Sequence, residues 1–87
     1  MPLATLSLKP DPAQAWVAIS WHIAEGRAPS AIELRDLLGR PVARITTSGN
    51  AGQVVWDRRA VTPGTYTATL LGTAGDQLAV ERVIVQQ

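Results

Sequence analysis

Cysteine is absent from the 87 residues of this chain, which excludes a disulfide framework and any thiolate nucleophile or metal ligand, and leaves the redox compartment open. Phenylalanine is absent too, and three Trp and one Tyr are the only aromatics; Val, Ile, Leu and Ala must therefore fill most of the core. An excess of either charge is missing. Eight Lys and Arg stand against seven Asp and Glu, so there is no field to draw in nucleic acid or to hold the chain on an acidic membrane. No apolar run approaches the roughly 18 residues needed to cross a bilayer, and the N-terminus lacks the basic-then-apolar pattern of a signal peptide. If the protein is exported, the address lies in a longer parent chain or in this domain itself. What remains is a chain that is 46% apolar and rich in Val and Thr, residues that suit pleated, half-buried surfaces. It is long enough for one small domain, residues 1–87, with a modest stability margin.

Leu3 to Leu8 alternates weakly, with Leu6 and Leu8 on one side. It reads as a short edge strand, or as a leader or linker over residues 1–8 from a longer parent chain. Lys9-Pro10-Asp11-Pro12 stops it, because two prolines fix φ and remove two donors. Between Ala15 and Ile23 the pattern is cleanest: Val17, Ile19, Trp21 and Ile23 share one face, and Trp16, Ala18, Ser20 and His22 the other. That is a period-two strand with one strongly apolar face. Residues 25–30 read as a loop. Val42 to Thr47 is β-branched and leads into residues 48–52, a flexible connection. Gln53 to Asp57 is a short strand presenting Val54 and Trp56 together. Pro63-Gly64 is the pair preferred at the centre of a type II turn, and it feeds Tyr66, Ala68 and Leu70, which alternate with threonines. Residues 72–76 form a hairpin loop, and Leu78 to Val85 makes the last strand.

The stretch Ile32 to Val42 supports two readings. Ser30 and Glu33 have the spacing of a capping box and Gly39 sits where a helix C-terminal glycine belongs, which would put Ala31, Leu34 and Leu38 on one helical face. Alternatively Ile32 and Leu34 point inward and alternate with Glu33 and Arg35, and residues 36–40 turn the chain into a second strand from Val42, Asp and Gly being good turn residues. The flanks favour the strand. Turn signals recur about every 8 to 12 residues, the spacing of a sandwich or barrel, and one short helix would be the odd element. The expected architecture is all-β, an antiparallel sandwich of two sheets, with residues 32–37 as a strand.

Chemistry-bearing residues are sparse. His22 is the only histidine, and no His, Cys or carboxylate lies at metal-ligand spacing beside it; it reads as a solvent-facing side chain. The carboxylates are scattered without a motif for acid-base work. Gly72 to Gly75 is no phosphate cradle, since a strand follows it instead of a helix N-terminus. Nothing argues for an enzyme, a metal or a cofactor. Of the tryptophans, Trp21 and Trp56 fall on inward faces and supply bulk to a core without Phe, whereas Trp16 faces outward and could stack on a sugar ring. Arg58 and Arg59 read as solvated or paired with Asp57.

Taken together, Pro10-Asp11-Pro12, the Asp36-Leu37-Leu38-Gly39-Arg40-Pro41-Val42 segment, Trp56-Asp57, Pro63-Gly64-Thr65-Tyr66 and the closing Arg82-Val83-Ile84-Val85 resemble the C-terminal sorting domain of type IX secretion system cargo proteins. Order and spacing agree from about Leu6 to Gln87. The resemblance implies a seven-stranded immunoglobulin-like sandwich at the end of a larger exported protein. It would carry an N-terminal cargo domain through the periplasm and an outer-membrane secretion translocon to the cell surface or medium, and be removed by a sortase-like peptidase, without inserting into the membrane. By the same analogy Gly64, Tyr66, Arg82, Val83, Ile84 and Val85 form the signal region, and Pro10, Pro12, Asp36, Gly39, Arg40, Trp56, Asp57 and Pro63 are motif residues that also maintain the fold. Two departures stand out: Lys9 and Asp11 replace the usual aromatic residue and Asn, and Arg82 replaces a basic residue that is often Lys. The rival readings are an immunoglobulin-like accessory module that binds a glycan or a neighbouring domain, and an assembling scaffold similar to the sandwich in flagellar hook-capping proteins. A strand at the end of a sandwich offers an edge to which a partner can add a strand, so Val80 to Val85 is the expected point of recognition.

Overall fold

A computed structural model describes residues 4–10, 16–23, 29–47, 49–57, 59 and 62–85. They form seven strands: β1 Ala4–Pro10, β2 Trp16–Ile23, β3 Pro29–Arg35, β4 Pro41–Thr46, β5 Ala51–Asp57, β6 Gly64–Gly72 and β7 Gln77–Val85. All pairings are antiparallel. One sheet has the order β1-β2-β5 and the other β4-β3-β6-β7, so the architecture is the two-sheet sandwich that the turn spacing predicts. No described residue is α-helical.

Alternation decides which face each strand buries. Val17, Ile19 and Ile23 of β2 are essentially inaccessible, and Trp21 nearly so; the partner strands supply Leu6 from β1 and Trp56 from β5, which pair with Trp21 and Val17. From the other sheet come Ile32, Leu34, Tyr66, Ala68, Leu70, Val83 and Val85. The lack of Phe is met by two aromatic plugs. Trp56 and Tyr66 touch edge to face, with centroids 5.8 Å apart, near one end of the sandwich. Trp21 lies towards the other end, over Gly52, its register partner. A Cβ on Gly52 would stand 2.5 Å from the indole, so glycine is what lets that ring lie flat on β5.

Four expectations are corrected. Pro29 and Ser30 belong to β3 and not to a loop, because Pro29 pairs with Gly72 across a bulge and a proline is tolerated at the first position of a strand. Ala51 and Gly52 belong to β5 and not to a flexible connection, since both pair with β2. Residues 32–37 are a strand only as far as Arg35, Asp36 opening the turn. The first strand does not stop at Leu8: β1 is an edge strand paired along its whole length, Lys9 and Pro10 included. Asp11, Pro12 and residues 25–28 lie outside the described residues.

Strand direction gives the sandwich two distinct ends. β3 finishes where β4 begins, beside the start of β6 and the end of β7. The Trp56–Tyr66 contact brings the end of β5 to the same place, together with the start of β2 and the end of β1, which pair with it in register. Ala4, by contrast, pairs with Ile23 at the opposite end.

Candidate functional site

The end just described is built around the β3–β4 turn. The Asp36 carboxylate accepts hydrogen bonds from the backbone N–H of Leu38 and of Arg40, both at 2.9 Å, and from Arg40 Nε at 2.9 Å. The Gly39 N–H donates to the Asp36 carbonyl at 3.0 Å, and the Asp36 N–H donates to the Arg40 carbonyl at 3.0 Å. Gly39 sits at φ 82°, the left-handed conformation that closes such hairpins and that glycine adopts without a Cβ penalty. Arg35 Nη1 donates to the Gly39 carbonyl at 2.8 Å. Asp, Gly and Arg at this spacing therefore make a self-contained clasp. The Arg40 backbone N–H, aided by its guanidinium and the Leu38 N–H and opposed by partial desolvation, holds the Asp36 carboxyl below its ordinary value of 3.8.

The clasp uses the side chains of Asp36, Arg35 and Arg40 and backbone groups of the turn, and leaves the Leu37 and Leu38 side chains unused. They are 78% and 76% exposed, the two most exposed large apolar side chains described. Facing them is the segment Thr62 to Tyr66. Gly64 stands at φ 158°, near extended and far from the roughly 80° that a type II turn needs at its third position, because it is already the first residue of β6 and pairs with Val85. The expected turn is thus replaced by a bend. The Tyr66 hydroxyl holds it, donating to the Thr62 carbonyl at 2.5 Å while its ring packs on Trp56. Between the two segments lies a cavity of about 510 Å³ lined by Leu37, Leu38, Arg40, Val42, Pro63 and Tyr66, among others.

The sequence-derived site residues distribute as follows. Asp36, Arg40, Pro63, Gly64 and Tyr66 line this one cavity, and Gly39 shapes it from the turn. Trp56 lies beneath, buried against Tyr66. Asp57 pairs with Arg59, whose Nη2 lies 2.9 Å from its carboxylate, and that side-chain contact, with the Arg59 backbone N–H, lowers the Asp57 pKa. The last strand lies alongside: Val85, Ile84 and Val83 pair with Gly64, Thr65 and Tyr66, and Arg82 with Thr67. Val83 and Val85 are buried core residues, Ile84 is 56% exposed and Arg82 is exposed. Pro10 ends β1 opposite Val17. Segments far apart in sequence thus converge on one end of the molecule.

Trp16 is exposed on the outer face of the three-stranded sheet, as its alternation predicts, and His22 is exposed at the far end of the same strand. Among the described residues no group of His, Cys, Asp and Glu could hold a metal ion. The residues missed by sequence reasoning are Leu37, Leu38 and Val42. Their signal was available: once residues 36–40 form a turn, two consecutive leucines in it have no core to enter. Comparison with family models, with curated proteins and with solved structures gives no match.

Proposed function

We propose that this is a C-terminal sorting domain of the type IX secretion kind, an immunoglobulin-like sandwich that directs an exported cargo through an outer-membrane translocon. The observation that carries the reading is the convergence of the resembling segments, the Asp36–Val42 turn, Trp56-Asp57, Pro63–Tyr66 and the end of β7, on one end of the fold. A recognition signal spread over the chain needs such a convergence. Two further features support it. The link from Tyr66 to the Thr62 carbonyl near the start of the sixth strand is similar to the tyrosine corner of immunoglobulin domains, and the sheets differ from the constant-type arrangement only in that the fourth strand leaves the sheet of β1, β2 and β5 and joins that of β3, β6 and β7. β7 is an edge strand, and its last residues, past Glu81, are open to addition of a partner's strand. A cargo joined ahead of β1 would leave from the opposite end, clear of the signal.

The test is export of a fluorescent protein placed behind a signal peptide and ahead of residues 1–87, in a bacterium with a working type IX system. Translocon-dependent arrival at the surface or in the medium is expected, and loss of export on deleting residues 82–87. Cargo retained in the periplasm, while a native sorting domain exports the same cargo, overturns the reading. A second reading, a glycan-binding accessory module, is favoured by one observation: Trp16 is 42% exposed and Val55, one pair along the same outer face, is 58% exposed. Binding on a glycan array that is abolished by Trp16→Ala would support it; a sorting domain should bind no sugar there.

A further inference from the structure

We propose that the cavity between the β3–β4 turn and the start of β6 is a binding groove for an extended peptide segment of a partner protein, one that carries a large apolar residue close to a carboxylate. This goes beyond the export reading and does not depend on it.

Three observations define the occupant. The first is an unpaired stretch of strand. β3 pairs with β6 only as far as Arg35 opposite Thr67, whereas β7 pairs with β6 down to Gly64. Among the described residues, Gly64, Thr65 and Tyr66 are therefore extended and paired on the β7 side alone. In an antiparallel ladder alternate residues direct both N–H and C=O to the same side, so at least one of these three offers a donor and an acceptor to the cavity. A free strand edge recognises a backbone in the extended state. Secondly, the opposite wall is apolar: Leu37 and Leu38 are more than three-quarters exposed, and Val42 lines the cavity with them. Leu37 and Leu38 are held out by the Asp36 clasp and not by any core contact, which pre-organises the wall and lowers the ordering cost of binding. The third observation is charge. Both Asp36 oxygens are engaged within the turn, and Arg40 spends only its Nε on them, so no described residue takes its Nη groups, and its side chain is 72% exposed. A guanidinium with its fork open at the lip of an apolar groove suits a carboxylate.

The edge used here is distinct from β7's outer edge. Glu81 of β7 shares the core-side face with Ala68 yet is exposed, and an inward-facing charge on an edge strand is a device that discourages pairing along its middle. The short edge at Gly64 to Tyr66 carries no such guard.

The test is selection of short random peptides displayed on phage against immobilised residues 1–87, with the Leu37→Ser/Leu38→Ser double variant as counter-selection, followed by fluorescence anisotropy with the enriched peptides. The expected result is peptides sharing a large apolar residue with Asp or Glu nearby. Their affinity should fall about tenfold or more in the double variant while its unfolding midpoint stays at that of the parent. Methylating peptide amide nitrogens one at a time should weaken binding at every second position only. Peptides that bind equally to the double variant, or indifference to amide methylation, would overturn the groove. So would an enriched pool no different from that on a blank surface. Concentration-dependent dimerisation of the parent domain, lost in the double variant, would make the occupant a second copy and overturn the proposal as well.

Discussion

At the scale of single residues, three side chains show how local chemistry holds this end of the fold. The Tyr66 hydroxyl replaces a turn hydrogen bond by reaching back to the Thr62 carbonyl. Tyr66→Phe keeps the ring on Trp56 and removes only the hydroxyl's links to the Thr62 carbonyl and side chain, so it should cost about 1 kcal/mol in urea unfolding with an unchanged m-value. Gly52 makes room for Trp21; Gly52→Ala forces the indole or the strand to shift and should cost about 1–3 kcal/mol, with a change in tryptophan fluorescence. Asp36 ionises more readily in the fold than its ordinary 3.8, and Asp57, held by Arg59, does the same. A carboxyl with a depressed folded pKa contributes stability that is fully present above the unfolded value and lost as pH falls through the folded one. Thermal midpoints should therefore be flat near neutrality and decline below about pH 4, and Asp36→Asn should show a lower plateau and a shallower decline.

Among the elements, β2, β6 and the end of β7 were the easiest to read in the sequence, because Val17-Ile19-Trp21-Ile23, Tyr66-Ala68-Leu70 and Val83-Val85 alternate without interruption. β3 was harder. Its strand is only seven residues long and Ala31 and Ile32 are both buried, since a bulge beside Pro29 breaks the period and leaves a pattern that also fits a helix turn. β5 was under-read at its start, where Ala51 and Gly52 carry no β signal of their own and are strand residues because Trp21 and His22 lie opposite. The candidate site was half legible. Asp36, Gly39, Gly64 and Tyr66 are turn and corner residues that a sequence can flag, while the space between their two segments is a product of tertiary pairing. β7 gives the prediction for this scale. Glu81→Val would replace the inward charge of an edge strand by a β-branched apolar residue; it should fold, yet show self-association on size exclusion at concentrations where the parent elutes as before.

At the scale of the whole molecule, stability rests on the aliphatic centre between the two aromatic plugs. Leu34 is fully buried there, and Leu34→Ala should cost about 2–5 kcal/mol, seen as a loss of midpoint denaturant concentration by fluorescence. Leu37→Ser, three positions along, should change the midpoint by less than about 0.5 kcal/mol, since its side chain is 78% exposed. The contrast separates what the fold needs from what it merely displays.

The opposed ends of the sandwich have a mechanical consequence. β1 begins at one end beside Ile23, and β7 finishes at the other beside Gly64. Tension applied between the two termini runs along the strands, while the ladder hydrogen bonds lie across them. The β1–β2 and β6–β7 ladders are then loaded in shear, all rungs at once, instead of being unzipped one after another. A single-molecule experiment should find the domain stiffer when pulled from end to end than when pulled across its sheets. A tether strung between a load and a machine that hauls on it would be gripped along its strongest axis.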